Sequence, residues 1–335
     1  MLTTLGSFAV AIAGAIALMA IGIRSGRWLP PHLRIDDSPP VVETPPEATN
    51  ELDAFVAGLE SRQVTLIPEA AARITWAAPD RPDRTPIVFL YLHGFSASRL
   101  ESAPVCARLA SHYGANLFEA RIAGHGCGAG ALGAASARDW LRSTQQAWAI
   151  ASALGDRVII VSMSNGASLA TWLLREPDNR ARTLALLMMA PNFRVRSRVA
   201  GLLSLPLAPV WVPRLVGRRR GSTPTNEAAS RIWTHSYPVS ALFQMQTMVH
   251  WLARQDLSRI DVPLALMYME NDPTVDPNAA RSGFRRWGSS HKELMPVEPE
   301  GDAVEHVFVG DALAPQRNDW VVTTFTRFLD PLVRA

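Results

Sequence analysis

The chain has 335 residues, of which 48% are hydrophobic and 19% charged, so it can bury a sizeable core. Its formal net charge of +3 is too small to indicate a nucleic-acid-binding protein. The two cysteines, Cys106 and Cys127, match neither a metal-ligand spacing nor a disulfide framework, and we assign them to packing.

The N-terminal segment differs in composition from the rest of the chain. Residues 5–23 carry no charge, and as a helix they would extend about 28 Å, close to the ~30 Å of the hydrocarbon layer. No Lys or Arg precedes this run, which favours a retained membrane anchor in residues 1–28 over a cleaved signal peptide or a buried helix. Arg24, Arg27 and Arg34 follow it, so the positive-inside rule predicts a cytoplasmic location for the remaining chain.

Residues 29–50 form the next distinct segment. They contain three Pro-Pro pairs and little apolar bulk, which predicts a semi-extended linker that packs poorly. The folded domain is therefore expected to span residues 51–335.

From residue 51 onward, apolar runs alternate with segments of helical periodicity. Near-continuous apolar strands between helices are typical of a parallel sheet covered by helices on both faces. One long insertion, residues 192–240, interrupts the alternation, and an insertion of this length is usually functional. The predicted strands are 85–92, 115–122, 157–162, 183–191, 262–270 and 292–298, and the predicted helices are 51–60, 99–114, 136–155, 166–176, 278–288 and 316–332.

A strand-to-helix transition contains the first candidate for chemistry. The apolar run 157–161 leads directly into Ser162-Met163-Ser164-Asn165-Gly166, and an apolar helical pattern follows. A serine at the apex of so sharp a turn is the arrangement of a nucleophile elbow, usually Gly-x-Ser-x-Gly. With Ser164 at the apex, Gly166 fills the second glycine position and Ser162 replaces the first as a small residue. The alternatives are Ser162 at the apex, which is sterically worse, or two serines that only cap the helix.

An acid and a base follow in the order that such an elbow requires. Triads of this type run Ser, then Asp or Glu, then His along the chain, at the carboxyl ends of successive strands. Asp272 lies just past the predicted strand 262–270, and Asp276 is the next best acid. His306 lies in the loop before the last helix.

The loop after the first long strand supplies candidate donors for an oxyanion hole. His93, Gly94 and Phe95 follow this strand directly, and Gly94 lets the backbone turn closely. We predict the backbone N–H groups of Phe95 and Asn165 as the donors, each worth ~3 kcal/mol in the transition state. His93 is interpreted as a structural residue that holds the loop.

These motifs together resemble an α/β-hydrolase of the carboxylesterase and monoacylglycerol-lipase branch. The resemblance covers residues from about 51 to 335 and is carried by five stretches: His93 to Phe95, "RIAGHG" at 121–126, the serine elbow, "ENDPTVDP" and "EHVF". It implies an eight-stranded, mostly parallel sheet with a cap inserted after the sixth strand, where residues 192–240 lie. It also implies the triad Ser164, Asp272 and His306. Ser162 in place of the first glycine departs from the family pattern.

The sequence thus predicts a serine hydrolase that cleaves carboxylic esters through an acyl-enzyme intermediate. No cofactor and no metal is expected. The same triad would also suit amide, peptide, thioester or lactone bonds, and a non-catalytic, membrane-tethered binding module is a further alternative. Epoxide and haloalkane hydrolysis on this fold normally use an Asp nucleophile, so Ser164 argues against both.

The insertion has an uneven charge distribution. Between Asn192 and Asn226 there are seven arginines and no Asp or Glu, interleaved with Leu, Val and Trp. Basic residues beside apolar ones suit an anionic membrane surface. The alternative is a lid whose apolar side closes the pocket and whose arginines are only solvated.

Overall fold

The computed structural model describes Gly14, residues 29–299 and residues 305–334. Apart from Gly14, the predicted anchor therefore lies outside the described residues. Within those ranges, no helix is both long and apolar enough to cross a membrane.

A central sheet of seven strands organises the described part of the chain, in the order β1-β3-β2-β4-β5-β8-β9. All neighbouring strands are parallel except β1 and β3. A separate two-stranded antiparallel sheet, β6-β7, lies in the insertion. The strands are β1 Arg73–Thr75, β2 Thr85–Leu92, β3 Asn116–Glu119, β4 Gly155–Met163, β5 Thr183–Met189, β6 Arg219–Gly221, β7 Ser236–Pro238, β8 Leu264–Tyr268 and β9 Lys292–Pro296.

Within the described residues, the sheet confirms the predicted mostly parallel α/β fold but has one strand fewer than the eight expected. One edge of this sheet is β1, which has only three residues. Pro68 opens a 3₁₀ turn, Pro68–Ala70, just before β1. Proline cannot donate a ladder hydrogen bond, which disfavours a strand at this point.

Helices lie on both faces of this sheet. They are α1 Leu52–Ser61, α2 Val105–His112, α3 Gly128–Ala134, α4 Ala137–Leu154, α5 Gly166–Leu173, α6 Pro177–Arg182, α7 Ala208–Val216, α8 Glu227–Ile232, α9 Ser240–Ala253, α10 Pro277–Arg286 and α11 Asn318–Arg334. The start of α4 is fixed by a capping box, in which Ser136 Oγ accepts the Asp139 N–H and the Asp139 carboxylate accepts the Ser136 N–H. The single helix predicted over 99–114 is divided at Pro104 into a 3₁₀ turn and α2.

The core has two layers because alternate residues of each strand point to opposite faces. Leu90 and Ile160 pack with Trp140 of α4 on one face. On the other face, Phe89 and Ile159 belong to the cluster that includes residues of α2 and α11. The carboxyl ends of β2, β4 and β8 therefore emerge at one edge between the two helix layers, where the predicted site residues lie.

The insertion, residues 192–240, forms a small cap with its own apolar centre. A 3₁₀ stretch (Arg198–Ser204), α7 and α8 make up most of it. Leu203, Ala208 and Val212 pack against Val239 and Phe243, which connects the cap to the start of α9.

Residues 29–50 are extended, as the prolines predict, but they pack closely against the domain. Leu33 is 1% exposed. Asp37 accepts hydrogen bonds from the indole N–H groups of Trp172 (through its carbonyl, 2.8 Å) and Trp251 (through Oδ2, 2.6 Å), and it pairs with Arg175. The prediction of a poorly packed linker rested on the low content of apolar side chains in this segment. Composition does not reveal that polar groups such as Asp37 form hydrogen bonds to residues of α5 and α9.

Candidate active site

Ser164 lies at the apex of a tight turn between β4 and α5. Its φ of 49° is in the left-handed region, which is unusual for a residue other than glycine and is the strained geometry of a nucleophile elbow. The Ser164 N–H donates to the Met189 carbonyl at 2.9 Å, and its carbonyl accepts the Asn192 N–H at 2.9 Å. These bonds to the end of β5 and the segment beyond it hold the turn in place.

The two residues that flank this apex explain the sequence pattern. A Cβ at Gly166 would lie 2.2 Å from the Leu92 carbonyl oxygen, so only glycine fits there. Ser162, at the other glycine position, is fully buried within β4, paired with Leu92 and Met188. Its hydroxyl donates to the Leu187 carbonyl at 3.4 Å and has no described bond to His306. A small polar side chain is thus accommodated where the pattern usually has glycine.

The structure brings Ser164, His306 and Asp272 together from three separate parts of the chain. His306 Nε2 lies 2.8 Å from Ser164 Oγ, and His306 Nδ1 lies 2.8 Å from Asp272 Oδ2. Since a carboxylate only accepts hydrogen bonds, Nδ1 carries the ring proton and Nε2 is left to accept from the serine. The three side chains form one continuous hydrogen-bonded chain.

Asp272 is almost completely buried, at 1% exposure, in the loop that follows β8. Its Oδ1 accepts the backbone N–H groups of Thr274 (2.7 Å) and Val275 (2.8 Å), which leaves Oδ2 for His306. The carboxylate is thereby fixed in both position and rotation.

Asp276, the alternative acid, has a different environment. Its Oδ1 accepts the Asn278 N–H at 2.8 Å and caps α10. Its Oδ2 accepts from Arg194 Nε at 2.8 Å. Asp276 therefore caps the start of α10 and pairs with Arg194 of the insertion. It has no described bond to His306.

The loop after β2 lies directly against Ser164. A Cβ at Gly94 would lie 3.2 Å from Ser164 Cβ and 3.1 Å from Glu101 Oε2, so the backbone at Gly94 passes between these two side chains. Asn165 follows Ser164 as the N-cap residue of α5, and the first N–H groups of a helix have no partner within the helix. Phe95 and Asn165, the two predicted oxyanion donors, directly follow Gly94 and Ser164 in the chain, and Gly94 lies against the Ser164 side chain.

His93 is buried beneath this loop and makes two bonds to backbone. Its Nε2 accepts the Ile122 N–H at 3.1 Å, so Nδ1 carries the proton and donates to the Gly94 carbonyl at 2.9 Å. Burial lowers the pKa of His93 to about 4, which keeps the ring neutral. This environment agrees with the interpretation of His93 as a residue that holds the loop.

One buried ionisable residue beside the site was missed by sequence reasoning. Glu101 is 2% exposed, and its Oε1 accepts the backbone N–H of Gly94 and, at 2.9 Å, the hydroxyl of Tyr91. It lies in a 3₁₀ turn, Arg99–Ser102, within the range 99–114 that was predicted as a single helix. No local sequence signal marks it, because Glu101 stands among polar residues such as Arg99 and Ser102.

Aromatic side chains pack around Phe95 of this loop. Phe95 makes edge contacts with Tyr237 of β7 (ring centroids 5.1 Å apart) and with His125 (6.1 Å), and it lies 6.0 Å from Trp140. The Thr234 N–H donates to the Ser96 carbonyl at 2.7 Å, so the cap is bonded directly to the loop. The cap and the loop thus share an aromatic cluster around Phe95.

The other chemistry-bearing residues are not arranged as a metal site. Among the described residues, no group of three His, Cys, Asp or Glu side chains is placed to hold a metal ion. Cys106 and Cys127 are both buried and unbonded to each other. Their burial raises the pKa of each thiol, as expected for cysteines that serve in packing.

Comparison with known proteins agrees with this geometry at the level of the fold. The family model described as serine aminopeptidase, S33 (Hydrolase_4) matches residues 84–298. No curated protein matches the sequence.

Solved structures of several lipolytic enzymes superpose on most of the chain. One is described with LipS and LipT, two metagenome-derived lipolytic enzymes, at 20% identity and a TM-score of 0.62, covering 79% of this chain and 99% of that one. A monoacylglycerol lipase from Paleococcus ferrophilus has 14% identity and a TM-score of 0.54, covering 78% and 98%. A monoglyceride lipase from Saccharomyces cerevisiae has 12% identity and a TM-score of 0.55, covering 78% and 91%. At these identities the likeness shows the shared fold.

Proposed function

The chain belongs to the Hydrolase_4 family of α/β-hydrolases, and we propose that it is a serine hydrolase that cleaves carboxylic esters. The observation that carries the proposal is the continuous hydrogen-bonded chain from Ser164 through His306 to Asp272. Ser164 is the proposed nucleophile, His306 the general base and then acid, and Asp272 the residue that orients the imidazole.

Each chemical step follows from the contacts of these three residues. Ser164 Oγ attacks the ester carbonyl as its proton moves to His306 Nε2, and the carbonyl oxygen becomes an oxyanion facing the N–H groups of Phe95 and Asn165. His306 then gives the proton to the leaving alcohol, and the acyl group remains on Ser164. Water attacks this acyl-enzyme with His306 again as base, which releases the acid and restores the serine.

Other acyl compounds are alternative substrates of the same machinery. Amides, peptides, thioesters and lactones all react through a tetrahedral intermediate, and the family description names an aminopeptidase. An aminopeptidase must recognise a free α-amino group, usually with a carboxylate near the scissile bond. The half-buried aromatic rings of Phe95 and Tyr237, which pack edge to face at this loop, support an ester with an apolar acyl or alkyl group instead.

A substrate panel tests this choice. We expect turnover of p-nitrophenyl esters across a series of acyl lengths, followed by turnover of glyceride and other lipid esters. Aminoacyl p-nitroanilides, acyl thioesters and lactones of matched acyl size should be slower. Faster hydrolysis of the aminoacyl amides would instead assign the protein as a peptidase.

The cap suggests that the substrate is met at an anionic membrane surface. Of the seven arginines between Asn192 and Asn226, only Arg194 forms an ion pair that the structure describes, with Asp276. Arg231, later in the cap, pairs with Glu227. Leu207, Val210 and Leu215 are 73%, 57% and 67% exposed on the same segment. Exposed apolar side chains among arginines without a carboxylate partner can contact both the lipid headgroups and the acyl boundary of a membrane.

An N-terminal anchor in residues 1–28 and a cytoplasmic catalytic domain are part of this proposal.

A further inference from the structure

Two peptide groups flank Gly94, and a different buried side chain holds each of them. The peptide between Gly94 and Phe95 is held through its carbonyl oxygen, which accepts from His93 Nδ1 at 2.9 Å. The peptide between His93 and Gly94 is held through its N–H, which donates to Glu101 Oε1. In a trans peptide the C=O and N–H point in opposite directions, so fixing one group also fixes the other.

This arrangement determines where the Phe95 N–H points. Because the Gly94 carbonyl is directed at His93, the Phe95 N–H of the same peptide is directed to the opposite side. Gly94 itself passes between Glu101 and Ser164, within van der Waals distance of both. Without the acceptor at Glu101, the peptide before Gly94 would lose its anchor, and the following peptide would be held only through the Gly94 carbonyl.

Glu101 is itself held from several directions. Tyr91, at the end of β2, donates its hydroxyl to Oε1 at 2.9 Å. The segment after Glu101 is bonded to the loop that carries His306, since the Asp311 N–H donates to the Ala103 carbonyl at 2.8 Å. A Cβ at Gly310 would lie 2.3 Å from the Glu101 carbonyl oxygen, so the two segments are in close contact. The turn that contains Glu101 therefore connects the oxyanion loop with the loop of the catalytic histidine.

We propose that Glu101 is a positioning residue, whose carboxyl oxygen fixes the Gly94 backbone so that the Phe95 N–H faces the oxyanion formed at Ser164. This inference rests on the proposed serine-hydrolase function and names a residue outside the triad that this function requires. In this role Glu101 acts through the backbone of the loop and not through contact with the substrate.

The proposed positioning role does not require Glu101 to be ionised. Burial raises the pKa of Glu101 to about 7, although the Gly94 N–H, the Tyr91 hydroxyl and nearby His306 oppose that rise. Cys106, which also faces Glu101, is itself buried with a pKa raised by burial. Both forms of the carboxyl group keep an oxygen that accepts the Gly94 N–H, so the positioning role does not depend on ionisation.

Two conservative variants separate positioning from charge. Glu101→Gln keeps an acceptor oxygen at the same distance from the backbone but removes the charge. Glu101→Asp keeps the charge but is one methylene shorter and withdraws the acceptor from the Gly94 N–H. If positioning is the role, kcat of Glu101→Gln stays within about tenfold of wild type, whereas Glu101→Asp loses ~10–100-fold with KM nearly unchanged, because one misaligned oxyanion donor costs up to ~10²–10³.

An oxyanion analogue gives a readout that a merely structural role would not change. A trifluoromethyl ketone forms a tetrahedral adduct with the serine, and its Ki should rise in Glu101→Asp by the same factor as kcat/KM falls. Glu119→Gln is the matched control, because Glu119 is also buried but pairs with Arg99 and not with the loop. We expect it to lower thermal stability without changing kcat or the inhibitor constant.

The possible outcomes distinguish the roles clearly. Activity kept in Glu101→Asp and lost in Glu101→Gln would show that charge matters and would overturn the proposal. Wild-type kcat in both variants, after correction for the folded fraction, would reduce Glu101 to a packing residue. Failure of the proposed function would appear differently, as wild-type protein that neither reacts with a fluorophosphonate nor turns over any ester.

Discussion

The carboxyl edge of the sheet and the cap hold their polar groups in opposite ways. At the sheet edge, Asp272 and Glu101 are buried, and each accepts hydrogen bonds from two named groups or more. In the cap, arginines such as Arg218 and Arg220 are exposed and without a described carboxylate partner. Polar groups held rigidly in a site without water can strongly stabilise a transition state. Solvated charges each contribute a small amount to the binding free energy, and salt screens that contribution. Substitutions at the edge should therefore have large effects on rate, and substitutions in the cap small effects on association.

The largest effect is expected at the two serines of the elbow. Ser164→Ala should lower kcat by about 10⁶, the loss found when a protease nucleophile is removed. Ser162→Ala should stay within about tenfold of wild type, because that position needs only a small side chain. Steady-state hydrolysis of a p-nitrophenyl ester measures both. An inactive Ser162→Ala beside an active Ser164→Ala would reverse the assignment of the nucleophile.

The next largest effect separates the two aspartates. Asp272→Asn should lower kcat by about 10⁴, because an amide in place of Oδ2 stabilises the wrong tautomer of His306. Asp276→Asn should change kcat less than about threefold, since Asn also caps helices and only the pairing with Arg194 is lost. The same ester assay compares them, and a greater loss in Asp276→Asn would show that the acid is misassigned.

Much of this edge was predictable from the sequence, for identifiable reasons. The strand 85–92 is confirmed to the residue, and the turns after β2, β4 and β8 fall where apolar runs end in Gly, Ser or Asp. Because parallel strands bring their carboxyl ends to one edge, chain order alone suggested that Ser164, Asp272 and His306 would meet.

Other features depended on contacts that have no local sequence signal. Glu101 reads as one charged residue on an amphipathic helix, and only the fold brings it under Gly94. The helix α3 was missed because Gly128, Gly130 and Gly133 disfavour a helix locally, although Leu132 is buried in the core. The packing of Asp37 against Trp172 and Trp251 likewise joins residues more than 130 positions apart.

A smaller effect concerns stability and tests the environment of Glu101 without any substrate. The pKa of Glu101 is raised from its ordinary value of 4.5 to about 7 in the folded protein. A raised pKa favours folding while the group is protonated, so this contribution is present below pH 4.5 and is lost as the pH rises through about 7. Glu101→Gln lacks the titration, so its Tm relative to wild type should increase by at least about 2 °C between pH 5 and pH 8.

Thermal melts of both proteins at several pH values provide the measurement. Glu47→Gln, at an exposed position, is the reference substitution. A Tm difference between Glu101→Gln and wild type that stays constant from pH 5 to pH 8 would contradict the assigned pKa.

The smallest effect is expected in the cap. A protein that begins at residue 29 should bind vesicles of mixed phosphatidylserine and phosphatidylcholine, because the exposed arginines of the cap remain. Raising salt from ~0.1 M to ~1 M shortens the Debye length from ~10 Å to ~3 Å and should release it. Arg218→Gln combined with Arg220→Gln should weaken binding about 30-fold, at about 1 kcal/mol per charge, without changing kcat on a short soluble ester.

Vesicle sedimentation measures this binding, and a charge-matched control checks that the cap is responsible. Arg81→Gln with Arg157→Gln removes two exposed arginines outside the cap and should leave vesicle binding unchanged. Equal losses in both double variants, or no binding to anionic vesicles at low salt, would show that the cap is only a lid.

The central claim, that Ser164 is an activated nucleophile, is tested most directly by covalent labelling. The wild-type protein is treated with a fluorophosphonate, digested, and the modified peptide is identified by mass spectrometry. We predict a single phosphonylated site at Ser164, absent in Ser164→Ala, present in Ser162→Ala and formed much more slowly in His306→Ala. No adduct on correctly folded wild-type protein, or an adduct on Ser162 in place of Ser164, would contradict the account.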